Sequence, residues 1–255
     1  IKYLCGNNSV GKKISYFDKS LISKKLPEIT KFSKKYLKNI DVIFTALPNG
    51  QAQDISKKLD GKIILIDLAA DFRLEKASEY LKWYKQKHRA AENIKKSIYS
   101  LPEINGHKIK AKDKKIISCP GCYPTSILLP LIPLIKGKLI KTTNIIIDSK
   151  SGYSGAGRGV HKKFIKKNLY ESLSAYGVRS HRHNSEIQQI LDKYSTRIKF
   201  DFTPHLSPMF RGILSTIYID LQKGINQNHV IKTLSNFYKD HYFIKILKKN
   251  ELIST

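Results

Sequence analysis

Short apolar runs separated by polar segments are the main pattern of the chain. The runs are rich in isoleucine, which is typical of buried strands, and they lie at 41–47, 62–68, 115–118, 144–150 and 213–221. The polar segments 51–59 and 76–86, between the first three runs, have the lengths of helices. Strands that alternate with helices predict a parallel α/β sheet.

The pattern changes near Cys122. Longer alternating strands follow, together with a helical segment at 184–194 whose apolar face is Ile187, Ile190 and Leu191. We expect Asn184 or Ser185 to cap that helix. These features predict a parallel α/β domain over residues 1–121 and an α+β domain over residues 122–255.

Cys122 lies at a predicted strand-to-helix turn. Gly121 precedes it, Pro124 suits the first turn of a helix, and an apolar run follows. Amides and the helix dipole at this position favour a thiolate, so we expect a lowered thiol pKa and an oxyanion site. Two prolines further on predict a short or kinked helix, at Pro130 and Pro133.

Cys119, three residues before Cys122, leaves three interpretations open. A thioredoxin-like disulfide would use both thiols, but the tryptophan-glycine context of that motif is absent. A zinc site could join the pair to His181 and His183, although a single CxxC is weak evidence for one. The third interpretation is one nucleophile, Cys122, with a base elsewhere in the fold.

His181 and His183 are the candidate bases. Residues i and i+2 of an extended segment point the same way, and a helix is predicted to follow. A histidine close to a thiolate can take and return a proton near neutral pH. The glycine-rich segment 151–159, which follows a strong strand, is the candidate ligand loop.

Composition narrows the class of protein. The formal net charge is +27, yet only seven of the 47 basic residues are arginine and the lysines run along nearly the whole chain. Such scatter predicts a solvated surface and no specific nucleic-acid site. No run approaches the roughly 18 apolar residues of a membrane span, and three cysteines are too few for a secreted disulfide framework. We therefore expect a cytoplasmic protein with no membrane partner and no bound metal.

Five ordered motifs resemble the N-acetyl-gamma-glutamyl-phosphate reductase family, which shares its fold with aspartate-semialdehyde dehydrogenase. The resemblance runs nearly from end to end of the chain. The motifs are PGCYPT at 120–125, SGYSGAGR at 151–158, HRHNSEI at 181–187, FTPHL at 202–206 and RGIL at 211–214. Upstream, DVIFTALPNG, IDLAADFRL and SLPEING resemble segments of the cofactor domain of that family.

The resemblance implies a Rossmann-like NADP domain and an α+β domain for catalysis and dimer contact, so we expect a homodimer or homotetramer. It implies Cys122 as nucleophile, His181 as general acid/base and His183 as a substrate contact or the true base. Cys119 is not required by the motif. The expected phosphate- or carboxylate-binding residues are Arg73, Arg158 and Arg211, and those approaching the cofactor are Ser154, Gly155 and Ala156.

The implied activity is NADPH-dependent reduction of an acyl phosphate through a cysteine thioester. One alternative is a reductase of aminoadipyl or glutamyl phosphate carried on an acidic protein. A second is a basic nucleic-acid-binding module. The first strand and the glycine-rich pyrophosphate turn of the family have no counterpart in the sequence, so we expect an incomplete cofactor domain that binds NADP poorly.

Overall fold

The computed structural model describes residues 1–110, 115–156, 171–248 and 250–255. Two short strands near the start, β1 (Leu4–Cys5) and β2 (Ile29–Thr30), pair in parallel. Single-turn 3-10 helices lie around them, at Ile14–Tyr16, Lys19–Leu21 and Lys34–Leu37.

A four-stranded parallel sheet forms the centre of the first half. Its strands are β3 (Val42–Thr45), β4 (Ile64–Asp67), β5 (Ser97–Tyr99) and β6 (Ile116–Ser118), in the order β3-β4-β6-β5. The connecting helices are α1 (Gln51–Ser56), α2 (Ala77–Tyr84), α3 (Ala91–Ile94) and α4 (Pro102–Asn105), with a 3-10 helix at Gly106–Lys110. The predicted parallel α/β domain is confirmed.

A mixed four-stranded sheet forms the second half. Its order is β10-β7-β9-β8, with β7 and β9 parallel and the other pairs antiparallel. The strands are β7 (Ile145–Gly152), β8 (Ser174–Ala175), β9 (Phe200–Ser207) and β10 (Ile213–Tyr218). The helices are α5 (Cys122–Lys136), α6 (His183–Leu191) and α7 (Gln227–Tyr238), and a 3-10 helix spans Tyr153–Ala156. The α+β prediction for this half is confirmed.

Helix α5 runs through the main core, between the second sheet and α6. Of the two alternatives predicted from its prolines, the short helix is wrong, because α5 continues for 15 residues, and the kink stays a prediction. Pro133 has no N–H to donate to the Leu129 carbonyl one turn earlier. The Tyr238 hydroxyl of α7 donates to that carbonyl instead, at 2.6 Å. A tertiary hydrogen bond thus replaces the helical bond that the proline removes.

The start of α6 also differs from the prediction. The helix begins at His183, its N-cap is Arg182, and no side chain caps it. Arg182 has helical backbone angles, φ −56° and ψ −28°, so the segment through the two histidines is not extended. Neither Asn184 nor Ser185 is the cap; the Ser185 hydroxyl donates to the Arg182 carbonyl.

Candidate active site

Cys122 is the first residue of α5, and three residues separate it from the end of β6. Gly121 is the N-cap and no side chain caps the helix, so the amides of its first turn face the thiol. A methyl group on Gly121 would stand 2.5 Å from His183 Nε2 and 2.9 Å from Arg73 Nη1. Only glycine fits there, because the His183 ring and the Arg73 guanidinium occupy the space that a side chain would need.

The expected lowering of the Cys122 pKa is wrong. Desolvation by the surrounding protein raises the pKa of this thiol, although the residue is open to solvent on one side. The backbone amides of Tyr123 and Cys122 and the charge of Arg73 lower the pKa, but they do not outweigh desolvation. Burial also raises the pKa of Cys119, and the nearby Asp67 charge adds to that shift.

The two histidine rings lie together although their backbone is not extended. Their centroids are 4.8 Å apart, and both pack edge-on against the Tyr123 ring, at 5.5 Å from His181 and 5.9 Å from His183. Since Tyr123 directly follows Cys122, both candidate bases lie beside the start of α5. Helix α6 packs on α5 and places them there.

Both histidines are neutral near pH 7. Burial, with the charge of Arg182, lowers the pKa of His181 to about 4. Burial, with His181 and two arginines nearby, lowers the pKa of His183 to about 2. His181 Nδ1 accepts a hydrogen bond from the His183 amide at 3.2 Å, so the neutral His181 ring carries its proton on Nε2. His183 Nδ1 is buried without a hydrogen-bond partner among the described residues.

Arg73, one of the expected phosphate- or carboxylate-binding residues, is buried and bound by the protein. Its Nε donates to the Cys119 carbonyl and its Nη2 to the Leu68 carbonyl, both at 2.8 Å. Its Nη1 lies 3.5 Å from Glu186 Oε2 in a buried ion pair. Three protein acceptors therefore occupy the guanidinium.

Glu186 is a residue of this site that sequence reasoning did not identify. The side chain is fully buried, and its Oε1 accepts from the Gly121 amide at 2.7 Å and from the Tyr99 hydroxyl at 2.8 Å. Burial raises the pKa of Glu186, while Arg73 and the two other donors oppose that shift. Every partner is a donor, which fits an ionised carboxylate. The sequence signal that could have identified Glu186 was an acidic residue on the apolar side of a predicted helix.

Tyr176 is a second residue that was missed. Its hydroxyl lies 3.0 Å from the Tyr123 hydroxyl, and its ring packs edge-on to His181 at 5.5 Å. The Tyr123 hydroxyl also donates to the His205 carbonyl of β9 at 3.2 Å. Burial raises the pKa of Tyr176 and of Tyr123, so both hydroxyls stay protonated and can donate.

The glycine-rich loop reaches the same site from the end of β7. Ser151 is close enough to Tyr123 to affect its pKa. Of the atoms in the described parts of the chain, a methyl group on Gly155 would meet the Ser151 hydroxyl alone, at 3.5 Å. The Ser154 amide donates to the Phe210 carbonyl, which fixes the loop beside the exposed Arg211. Ala156 ends the 3-10 helix, and Arg158 lies outside the described residues.

The helix that follows β3 does not fit a bound phosphate. The Asp71 carboxylate accepts from the amides of Gly50, Ala52 and Gln53, which are the first amides of α1. A buried carboxylate of the chain itself fills the position where an anion would bind. By contrast, Gly155 is exposed and carries no side chain, so a flat ring can approach its backbone closely.

Comparison with known proteins shows the family to which the chain belongs. A family model described as "Semialdehyde dehydrogenase, NAD binding domain" matches residues 1–112, and one described as "Semialdehyde dehydrogenase, dimerisation domain" matches residues 122–255. The N-acetyl-gamma-glutamyl-phosphate reductase of Clostridium beijerinckii is 44% identical over 248 residues, 96% of this chain and 71% of that protein. The chain belongs to the N-acetyl-gamma-glutamyl-phosphate reductase family.

One further relative shows how much of a family member's length the chain spans, and one solved structure shows the fold. The probable chloroplastic N-acetyl-gamma-glutamyl-phosphate reductase of Arabidopsis thaliana is 43% identical over 89% of this chain, and the chain spans 56% of that protein. An aspartate semialdehyde dehydrogenase structure from Francisella tularensis covers 92% of the chain and 72% of its own length, with a TM-score of 0.63 at 16% identity. That structure shows the fold that the family shares.

Among the described residues, no group of three metal-ligating side chains lies together, and no helix has the length and apolar character to cross a bilayer.

Proposed function

We propose that the protein catalyses NADPH-dependent reduction of N-acetyl-gamma-glutamyl phosphate to N-acetylglutamate 5-semialdehyde, with release of phosphate, in arginine biosynthesis. The observation that carries the proposal is the meeting of three groups at one helix start. They are an exposed thiol at the uncapped N-terminus of α5 and two neutral imidazoles that pack around the next residue, Tyr123.

The Cys122 thiolate attacks the acyl carbon of the substrate. A carbon–sulfur bond forms, the carbon–oxygen bond to phosphate breaks, and phosphate leaves. The amides at the start of α5 hold the carbonyl oxygen while it carries negative charge. The raised pKa of Cys122 means that the thiol needs a neutral base beside it, and both histidines are in that form.

His181 is proposed as the general acid/base, supported by its neutral ring beside the start of α5. It takes the proton of the Cys122 thiol as the thiolate forms, becomes imidazolium, and returns that proton to the sulfur when the reduced adduct collapses to the semialdehyde. His183 is proposed as a substrate contact, because its Nε2 lies against Gly121 next to the thiol. When bound, NADPH supplies the hydride that reduces the thioester.

Ser154, Gly155 and Ala156 are proposed to contact the nicotinamide end of NADPH, supported by the path from Tyr123 through Ser151 to Gly155. Arg211 and Arg158 are proposed to hold phosphate or carboxylate, which guanidinium binds in bidentate fashion. Arg73 is proposed as a further phosphate- or carboxylate-binding residue, since its three bonds to protein acceptors use three of the five guanidinium N–H groups.

A homodimer or homotetramer in the cytoplasm is proposed for the protein. The match of residues 122–255 to a dimerisation domain supports the association. Light scattering on the purified protein gives the oligomeric state, and a monomer at micromolar concentration would contradict the proposal.

Phosphate-dependent oxidation of N-acetylglutamate semialdehyde with NADP tests the function. We expect NADPH to form only when phosphate and the semialdehyde are both present. Activity confined to an aminoadipyl or glutamyl semialdehyde on an acidic carrier protein would support the carrier-linked alternative. No activity, with tight sequence-selective DNA binding at physiological salt, would support the nucleic-acid module. We expect DNA binding to be weak, sequence-blind and lost steeply with salt.

A further inference from the structure

We propose that Arg73 and Glu186 are positioning residues that hold the turn before Cys122 from its two sides, and that Glu186 joins this turn to α6, the helix that begins at His183. The inference rests on the proposed function, because it concerns the placement of the proposed nucleophile. It gives a task to the buried Glu186, which the steps above do not use, and a positioning task to Arg73.

The two residues bind the peptide groups on either side of Pro120. Arg73 Nε donates to the Cys119 carbonyl at 2.8 Å, and Glu186 Oε1 accepts from the Gly121 amide at 2.7 Å. Proline lacks an N–H and contributes no donor of its own. These bonds therefore define where the backbone enters α5, and with it the direction of the Cys122 side chain.

Glu186 belongs to the same helix turn as His183. A carboxylate three residues after His183 thus binds the backbone one residue before Cys122. Gly121 lies between the His183 ring and the Arg73 guanidinium, with no room for a methyl group on either side. The hydrogen bond from the Gly121 amide to Glu186 therefore resists a shift of α6 relative to α5. In this way it holds the distance between the Cys122 thiol and the His183 ring.

The two charges also affect the thiol in opposite directions. Arg73 lowers the pKa of Cys122 and Glu186 raises it, while burial raises it and the amides of Tyr123 and Cys122 lower it. The uncharged neighbours are the two histidines and the Tyr123 and Tyr176 hydroxyls. Removal of one charge and of the other should therefore shift the titration of the thiol in opposite directions.

The experiment compares Glu186→Gln, Glu186→Ala and Arg73→Met in the purified protein, with two readouts. The first is the rate of iodoacetamide alkylation at Cys122 against pH, resolved by peptide mass spectrometry. We expect its midpoint to move to lower pH in Glu186→Gln and to higher pH in Arg73→Met. This readout needs no turnover, so it tests the inference even if the proposed reaction is not detected.

The second readout is turnover. Glu186→Ala should lower kcat by about tenfold or more, with a much smaller change in KM, because a small misplacement of reacting groups is costly. Glu186→Gln keeps an acceptor for the Gly121 amide and should recover part of that loss. Tyr99→Phe is the matched control: it removes another bond to the same carboxylate but leaves the Gly121 bond, so kcat should stay near the wild-type value.

Two results would overturn the proposal. One is a wild-type alkylation profile in Glu186→Gln and in Glu186→Ala. The other is equal loss of kcat in Tyr99→Phe and Glu186→Ala in proportion to lost thermal stability, which would indicate a purely structural role. If Arg73→Met does not fold, the proposal is tested by the direction in which Glu186→Gln shifts the alkylation midpoint.

Discussion

Helices α1 and α5 begin in the same way, but the amides of their first turns have different partners. Each follows a strand of the parallel sheet, and each has glycine as its N-cap, Gly50 and Gly121. At α1 a buried carboxylate, Asp71, accepts the first amides. At α5 a carboxylate, Glu186, binds only the Gly121 amide and leaves the next amides to the Cys122 thiol.

The difference shows how one local feature can serve stability or chemistry. The first amides of any α-helix lack partners within the helix and attract negative charge. A residue of the chain satisfies them at α1 and holds the loop after β3 in place. At α5 the amides of Cys122 and Tyr123 bind the thiol, and we propose that they hold the negative charge that develops during the reaction.

Cys122→Ser is the change with the largest expected effect, because it removes the group that distinguishes α5. Turnover should fall on the order of a thousandfold or more, since a serine hydroxyl is far less ionised than a thiol and its ester is a poorer hydride acceptor. The measurement is NADPH consumption with the acyl phosphate. Cys119→Ser is the control and should keep most activity; its inactivation would contradict the single-thiol mechanism.

Asp71→Ala should have the largest effect at α1, and the effect should be on stability. The carboxylate also accepts from the Tyr80 hydroxyl and the Gln53 side chain, so five donors lose their acceptor. We expect a loss of about 3 kcal/mol in the free energy of unfolding. Urea denaturation measures it. Asp18→Ala is the control, because Asp18 caps an exposed 3-10 helix, and it should change little.

His181→Asn should lower kcat by about a hundredfold, the usual scale for the loss of a positioned general acid/base. His183→Asn should act more on KM. The two variants sharpen the comparison between the helix starts, because both rings pack against Tyr123 in the first turn of α5. Steady-state kinetics separates them. A kcat effect confined to His183→Asn would reverse the assignment.

Acid should destabilise the protein through His183. Its folded pKa of about 2 lies below the 6.5 of an ordinary histidine, so the unfolded chain binds the proton first as pH falls. Stability should therefore drop between pH 7 and pH 5, by about 2 kcal/mol from this residue. Denaturation at both pH values measures the drop, and His183→Gln should reduce it. His107→Gln, at an exposed histidine, should not.

Tyr238→Phe should have the smallest effect, on the far part of α5. It leaves the Leu129 carbonyl without the donor that replaces the one missing at Pro133, and it should cost about 1 kcal/mol. Thermal denaturation measures the loss. The exposed Tyr218 supplies the control, Tyr218→Phe, which should match the wild type. Equal stability of all three proteins would show that the helix does not need this bond.

The strands and the turn at Cys122 could be predicted from sequence, because they depend on local features. Apolar runs bounded by polar segments marked β3, β4, β6, β7 and β10, and the glycine and proline around Cys122 marked the start of α5. Those patterns reflect burial and backbone preferences that act over a few residues. The nucleophile assignment and the division at residues 121 and 122 stay predictions.

The tertiary structure decided what lies far apart in the chain. The Cys122 pKa is raised because desolvation depends on everything that packs around the thiol, which a helix N-terminus alone does not reveal. Arg73 is buried against a partner that is distant in the sequence, because Glu186 lies 113 positions after it. The proline-containing α5 stays whole through a hydroxyl from α7. Hydrogen bonding and burial are properties of the packed molecule, so local pattern predicted where Cys122 lies on its helix and packing determined the direction of its pKa shift.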